Sequence, residues 1–149
     1  MKDDVCVMHV GVYGLCWRAG RLLVVRKTRG PYVGRWDLPG GGLERGEQPL
    51  KALGRELWEE ASVRLTTARA LGAGSGECRY LNAEGLWEHL LHVWVVYRVR
   101  VDGVVSGATK SEDTCEARWL RFAGYGDQEL SPVARWALAS LPSGRGSFE

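Results

Sequence analysis

No stretch of this chain approaches the roughly 20 consecutive apolar residues that a membrane span requires. The longest apolar run, around 90–101, is interrupted by His92, Arg98 and Arg100, so a soluble protein with no membrane partner is expected. Cys-x-x-Cys spacing is missing too. Cys6, Cys16, Cys78 and Cys115 stand far apart, and no basic stretch followed by an apolar segment opens the chain. That combination reads as reduced thiols in a cytoplasmic protein. Charge of one sign never accumulates: 20 basic residues face 18 acidic ones, with no long block of either. This excludes the electrostatic footprint of a duplex nucleic-acid binder. Internal repeats and interdomain linkers are absent, and 149 residues make one ordinary domain that can bury a core without metal or disulfide staples. Residues 1–149 are therefore expected to form a single domain, with 142–149 as a loose tail. The oligomeric state is open, a homodimer included.

What the chain does contain changes period along its length. The Val-rich stretch 5–17, the turn Arg18-Ala19-Gly20 and the apolar stretch 21–27 read as a β-hairpin. Residues 28–34 hold two glycines and Pro31 and read as a loop, followed by a short extended piece over 35–39. From Glu47 to Ala61 the apolar residues Leu50, Leu53, Leu57 and Ala61 recur at threes and fours, which marks an amphipathic helix with Pro49 in its first turn. Residues 63–71 and 77–81 read as separate strand pieces, Asn82-Ala83-Glu84-Gly85 as a turn, 90–101 as a long strand and 117–122 as a short one. Ser131 is a candidate N-cap, with Pro132 opening a helix to about Leu141. Strands, a helix, more strands and a helix predict an α+β fold, an α/β/α sandwich around a mixed sheet.

On a 100° wheel Glu56, Glu59 and Glu60 fall within roughly 100° of one another and are expected opposite the stripe of Leu50, Leu53, Leu57 and Ala61. Like charges at these spacings cost an isolated helix about 0.2–0.5 kcal/mol per pair. A hard divalent cation relieves that repulsion, and a purely oxygen donor set suits Mg²⁺ or Mn²⁺ better than Zn²⁺. Just upstream, Leu38-Pro39-Gly40-Gly41-Gly42 lets backbone approach a metal or ligand closely. Arg55, at i,i+4 from Glu59, can hold a carboxylate with its fork while leaving the metal face free. Taken alone, three acids at helical spacing describe a solvated helix face more readily than a metal site.

Gly41, five residues, Glu47, seven residues, then Arg55-Glu56-Leu57-Trp58-Glu59-Glu60-Ala61-Ser62-Val63 together resemble the Nudix box, in spacing and identity over 23 residues. The resemblance implies a Nudix fold and a Mg²⁺-dependent hydrolase, Mn²⁺ being an alternative cation, that cleaves a phosphoanhydride bond in a nucleoside diphosphate derivative. It further implies that Glu56, Glu59 and Glu60 hold the cations, with a backbone carbonyl from Gly40 or Gly41. Glu47 and Arg55 support them, and Glu56 is the first choice of general base. Another acid from a late loop is implied, with Glu112 ahead of Glu116. Ser62 stands where the family usually has glycine, so the left-handed exit from the helix is expected to be altered.

A small-molecule nucleotide needs cations for its phosphates and a flat surface for its base. Arg26, Lys27, Arg29 and Arg35 surround the loop before the glycines, with Tyr32 and Trp36 interleaved. Tyr32 is the better stacking candidate, and Trp36 reads as packing somewhat more readily than as a base contact. His9, His89 and His92 have no metal-like spacing with the cysteines and read as structural or surface residues. Tyr80 lies 17 residues beyond Val63, where diadenosine polyphosphate hydrolases of the family carry a tyrosine. The late 112–119 stretch is closer to the MutT-like pyrophosphohydrolases, which favours a nucleoside tri- or diphosphate. The alternatives are a diadenosine polyphosphate or nucleotide-sugar hydrolase, and a nucleotide-binding module that does not hydrolyse.

Overall fold

The computed structural model describes residues 4–106, 111–121 and 129–141. Strand β1 (Val5–Leu15) is followed by β2 (Trp17–Arg18), β3 (Arg21–Lys27), β4 (Trp36–Asp37) and β5 (Gly40–Gly42). Helix α1 (Pro49–Ala61) comes next, then the long strands β6 (Arg64–Leu81) and β7 (Trp87–Asp102), β8 (Thr114–Arg121) and helix α2 (Pro132–Ala139). One four-stranded sheet runs β5-β1-β7-β6, with β1 parallel to β7 and the other pairs antiparallel. In the second sheet β3 carries β8 along one edge, leaving β2 and β4 to share the other.

The strands are buried on both faces because side chains alternate across a pleat. Val12 and Cys16 of the β1 region, Leu23 and Val25 of β3, and Val99 and Val101 of β7 pack with Ala52, Leu53, Leu57 and Ala61 of α1. Their neighbours of opposite parity, Tyr13, Leu15, Leu22, Val24, Trp94 and Val96, pack with Val133, Ala134, Ala137 and Leu138 of α2. Two helices thus sandwich the strands, as the α/β/α reading expects. No described helix is long and apolar enough to cross a membrane.

Several local expectations are corrected. Only Trp17–Arg18 pairs back on β3, as Leu22 faces Trp17 and Arg21 faces Arg18. The rest of the expected first hairpin arm is β1, which crosses to the other sheet. The two strand pieces expected over 63–81 are one strand with register shifts at Leu65/Thr67 and Ala70/Gly72. Its glycines are not a break: a Cβ on Gly74 would lie 2.5 Å from Trp94 Nε1 and 2.7 Å from Trp136 Nε1, so the strand is bare there to admit two indoles. Leu50, expected in the core stripe, is exposed, because the stripe meets the sheet only from Ala52 onward. Ser62 keeps the left-handed exit despite its side chain, at φ 60° and ψ 31°, with Val63 N–H donating to Leu57 O at 3.5 Å. Ser131 caps α2 as expected, its Oγ accepting from Ala134 N–H at 3.1 Å. The expected tail, 142–149, lies outside the described residues.

Candidate active site

The glycine run pairs with β1 over Gly11–Tyr13, and this pairing presses it against α1. At Gly40, φ is +147° and a Cβ would stand 2.1 Å from the Val12 carbonyl oxygen, so only glycine fits. Its N–H donates to Glu60 Oε1 at 2.7 Å. A Cβ on Gly41 would stand 2.7 Å from Glu56 Oε1. The missing side chains therefore bring backbone and carboxylates together, as the Gly-rich loop suggested.

Glu60 is not on the solvated face that the wheel expectation gave it. It is 1% exposed and lies within the buried stripe of α1 between Leu53 and Glu56. Burial, followed by the neighbouring charge of Glu56, pushes its carboxyl well above the usual range, against the Gly40 hydrogen bond. Burial also raises Glu56, which Arg55 opposes and Glu59 reinforces. Low-dielectric surroundings disfavour these anions, so α1 carries two costly acids side by side.

Arg55 organises the exposed side of the cluster. Its Nε and Nη2 donate to Glu47 Oε2 and Oε1 at 2.8 and 2.9 Å, the bidentate fork expected of a positioning arginine. Nη2 also reaches the Gly42 carbonyl at 3.2 Å, and Nη1 reaches Glu56 at 3.1 Å and Glu59 at 3.3 Å. Arg55, helped by the Glu44 N–H, holds the Glu47 carboxyl down to about 2.

Among the described residues no three Asp, Glu, His or Cys side chains converge as a finished ligand set. Glu56 and Glu59 turn to Arg55, and Glu60 turns to Gly40. The donors nonetheless fit a hard divalent cation. All are carboxylate oxygens, buried Glu60 and half-buried Glu56 lie together at a cost that positive charge would relieve, and the missing Cβ of Gly41 leaves backbone against Glu56.

Beside this cluster a cavity of about 800 Å³ opens between β1, the 28–33 loop and the tip of the β6–β7 hairpin. Its floor is aromatic and polar. His92, 2% exposed, is hydrogen-bonded through Nε2 to Tyr13 OH (2.8 Å) and through Nδ1 to Tyr32 OH (3.0 Å), one nitrogen donating and the other accepting, and the Tyr32 ring stacks on it at 5.7 Å. Burial, then the charges of His9 and Lys27, lowers His92 to about 4. Asp37, 2% exposed, also lines the cavity. Its Oδ1 accepts from Leu38 N–H at 2.8 Å and Ser131 Oγ at 2.5 Å. Burial raises its carboxyl, with Lys27 and the two hydrogen bonds pulling the other way.

Of the substrate residues anticipated from sequence, Tyr32 lies in the cavity, with Lys27 and Arg29 beside it. Arg26, Arg35 and Trp36 are outside its lining. Trp36 is 4% exposed and belongs to the core, with the guanidinium groups of Arg26 and Arg118 over its ring at 4.3 and 5.1 Å, so it offers no face for stacking. Glu112 is not brought to the carboxylates: its side chain is 88% exposed and pairs with Arg29 at 3.6 Å. Glu116 pairs with Arg26 and Arg118. Tyr80 does line the cavity, its OH donating to Glu88 at 2.7 Å. Asp37, an acid beside the Leu-Pro-Gly-Gly run, was not singled out from sequence, and His92, read there as structural or surface, lies buried in the cavity floor.

The NUDIX domain family model matches residues 7–140. A MutT-like protein of Streptomyces ambofaciens is 34% identical over 112 residues, 74% of this chain, which spans 62% of that longer protein. A putative 8-oxo-dGTP diphosphatase 2 of Mycobacterium tuberculosis is 31% identical over 134 residues, covering 89% of this chain and 87% of its own. In three dimensions the MutT NUDIX hydrolase from Burkholderia pseudomallei aligns at a TM-score of 0.66 and 26% identity, over 91% of this chain and 99% of that one. The glycine-backed carboxylates of α1, the sandwich around them and these matches lead to one conclusion: the chain belongs to the Nudix family and is a Nudix-type hydrolase.

Proposed function

We propose that this enzyme, a single Nudix domain spanning 1–149, hydrolyses a phosphoanhydride bond in a small nucleotide, a nucleoside tri- or diphosphate in the MutT-like manner, in the cytoplasm. The observation that carries the reading is the placement of buried Glu60 and half-buried Glu56 against the bare backbone of Gly40 and Gly41, beside a cavity of nucleotide size.

Glu56, Glu59 and Glu60, with a backbone oxygen of Gly40 or Gly41, would hold Mg²⁺ or Mn²⁺. When bound, the cation neutralises diphosphate oxygens and acidifies a water. Glu56 would accept the proton of the water that attacks phosphorus, the phosphoanhydride oxygen leaving with the other product. Arg55, fixed by Glu47 and the Gly42 carbonyl, keeps Glu56 and Glu59 aimed and is a positioning residue. Lys27 at the cavity edge supplies positive charge for phosphate, Arg29 being paired with Glu112 and Asp113, and the ring of Tyr32 supplies a stacking face.

The test is product release from nucleoside tri- and diphosphates, diadenosine polyphosphates and nucleotide sugars with Mg²⁺ or Mn²⁺, for wild type, Glu56→Gln and Glu60→Gln. Metal-dependent turnover lost in both variants supports the proposal. Absence of turnover on every compound, with nucleotide binding retained, would replace it with a binding module.

A further inference from the structure

One strand of the first sheet has an open edge. On one side β7 pairs with β1 along its whole length, while on the other β5 reaches only Gly11–Tyr13. Gly14 N–H points to this second side, donating to Pro39 O, and the Val12 carbonyl oxygen faces Gly40 there. Peptide groups alternate in direction along a strand. The N–H and C=O of Cys6 and Met8 therefore point the same way, where no described strand meets them. Exposed edges recruit other strands unless charge, proline or a covering element blunts them. The other long open edges are charged: β6 carries Arg64, Arg69, Glu77 and Arg79, and β8 carries Glu116, Arg118 and Arg121. Residues 5–10 carry no charge, and Asp4 just before them is held by Arg79 at 2.8 Å. The face that α1 covers from Val12 onward is bare here as well. Met8 is 66% and Val10 44% exposed, beside half-buried Leu91 and Val93 of β7.

We propose that the open edge of β1 over residues 5–10 is a homodimer interface, on which β1 of a second copy adds antiparallel and joins the two four-stranded sheets into one. A second copy fits because the edge is neutral and apolar. A charged peptide finds no counter-charge on it, whereas β1 itself is an uncharged extended strand. In an antiparallel pair related by a two-fold axis, opposed side chains lie on one face and have the same parity. Cys6 thus stands against Met8 of the second copy, each such pair exchanging both backbone hydrogen bonds. Met8 and Val10 of the two copies share that face and shield one another from water. The contact is isologous and consumes both open edges, so it closes at two chains and does not grow into a filament. Val5, Val7 and His9 point to the opposite face and line the cavity. The two cavities consequently open on the same side of the joined sheet.

The experiment is sedimentation velocity, over a wide range of concentration, on wild type, Met8→Lys, Met8→Glu and an equal mixture of the two variants, with hydrogen exchange read at the Cys6 and Met8 amides. Wild type is expected at twice the monomer mass with both amides protected. Each variant alone is expected as a folded monomer in which these amides exchange freely, because like charges at position 8 lie diagonally across the junction, within reach of one another. The side chain is exposed, so melting temperatures should stay close to wild type. Mixing the two variants sets opposite charges across the junction and is expected to restore the dimer. Monomeric wild type overturns the proposal, and protected amides in that monomer would place another part of the same chain on the edge. A dimer whose Cys6 and Met8 amides exchange freely lies elsewhere on the surface and overturns it too, as does a Met8→Lys variant that associates like wild type or a mixture that stays monomeric.

Discussion

His92 makes the stability of this protein depend on pH in a way that can be calculated. Its ring is 2% exposed and its two nitrogens meet Tyr13 OH and Tyr32 OH, an arrangement suited to the neutral ring, which has one donor and one acceptor. Burial first, then His9 and Lys27, lowers the pKa from 6.5 to about 4. Since the folded value lies below the unfolded one, the unfolded chain binds the proton first. The neutral-ring advantage is complete above about pH 6.5, is lost as pH falls through the window down to about 4, and is constant below it. A displacement from 6.5 to about 4 corresponds to roughly 3 kcal/mol in all, at about 1.4 kcal/mol per pH unit. About 2 kcal/mol of it is gone between pH 7 and pH 5. Urea midpoints of wild type and His92→Gln, measured from about pH 7.5 to 4.5, give the test. With a slope of ~1–3 kcal/mol/M, the wild-type midpoint is expected to fall by about 1 M more than that of the variant. Curves that run parallel across the window would show that His92 protonates as easily in the fold as outside it, and the argument from burial would fail.

Glu60→Gln is expected to abolish turnover without lowering the melting temperature in metal-free buffer, because an amide oxygen still accepts from Gly40 N–H and a buried charge is removed; calorimetry with and without Mn²⁺ checks both halves. Arg55→Lys cannot reproduce the fork on Glu47 or reach the Gly42 carbonyl at the same time. It should reduce kcat about 10–100-fold with little change in nucleotide binding, and an equal loss in binding would count against a positioning role. Ser62 occupies the left-handed region at φ 60°, where a Cβ costs about 1–2 kcal/mol. Ser62→Gly should therefore raise stability by about 0.5–1 kcal/mol after the added chain entropy, and a lower denaturation midpoint would refute it.

The carboxylate cluster was legible in the sequence because its geometry is local. Glu56, Glu59 and Glu60 share one helix with Arg55, and Glu47 lies two residues before its start, so closeness along the chain brings them near. Glu60 was still misplaced, since its charge was taken to face water although the wheel sets it only about 20° from Leu53. Burial of Glu60 depends on the Gly40 amide, and Gly40 reaches α1 only because β5 pairs with β1. Where contacts are non-local the sequence was mute or misleading. Parallel pairing of β1 with β7 joins residues some eighty positions apart, so β1 was assigned to the nearer hairpin. The glycines of 72–76 look like a loop until Trp94 and Trp136 are placed over them. Trp36, adjacent to the glycine run, looked available to a base until Arg26 and Arg118 covered it.

The same distinction separates the proposed catalytic groups from the cavity lining. The carboxylates proposed to hold the cation sit on consecutive turns of one helix, against the glycine strand. The cavity lining comes from β1, the 28–33 loop, β4, β7 and the hairpin tip, brought together by sheet pairing. Asp37 belongs to both worlds: the backbone that follows it leads into the glycine strand, while its carboxyl is tied by Ser131 to the start of α2. A change at α2 can therefore move the Asp37 carboxyl without touching any carboxylate of α1.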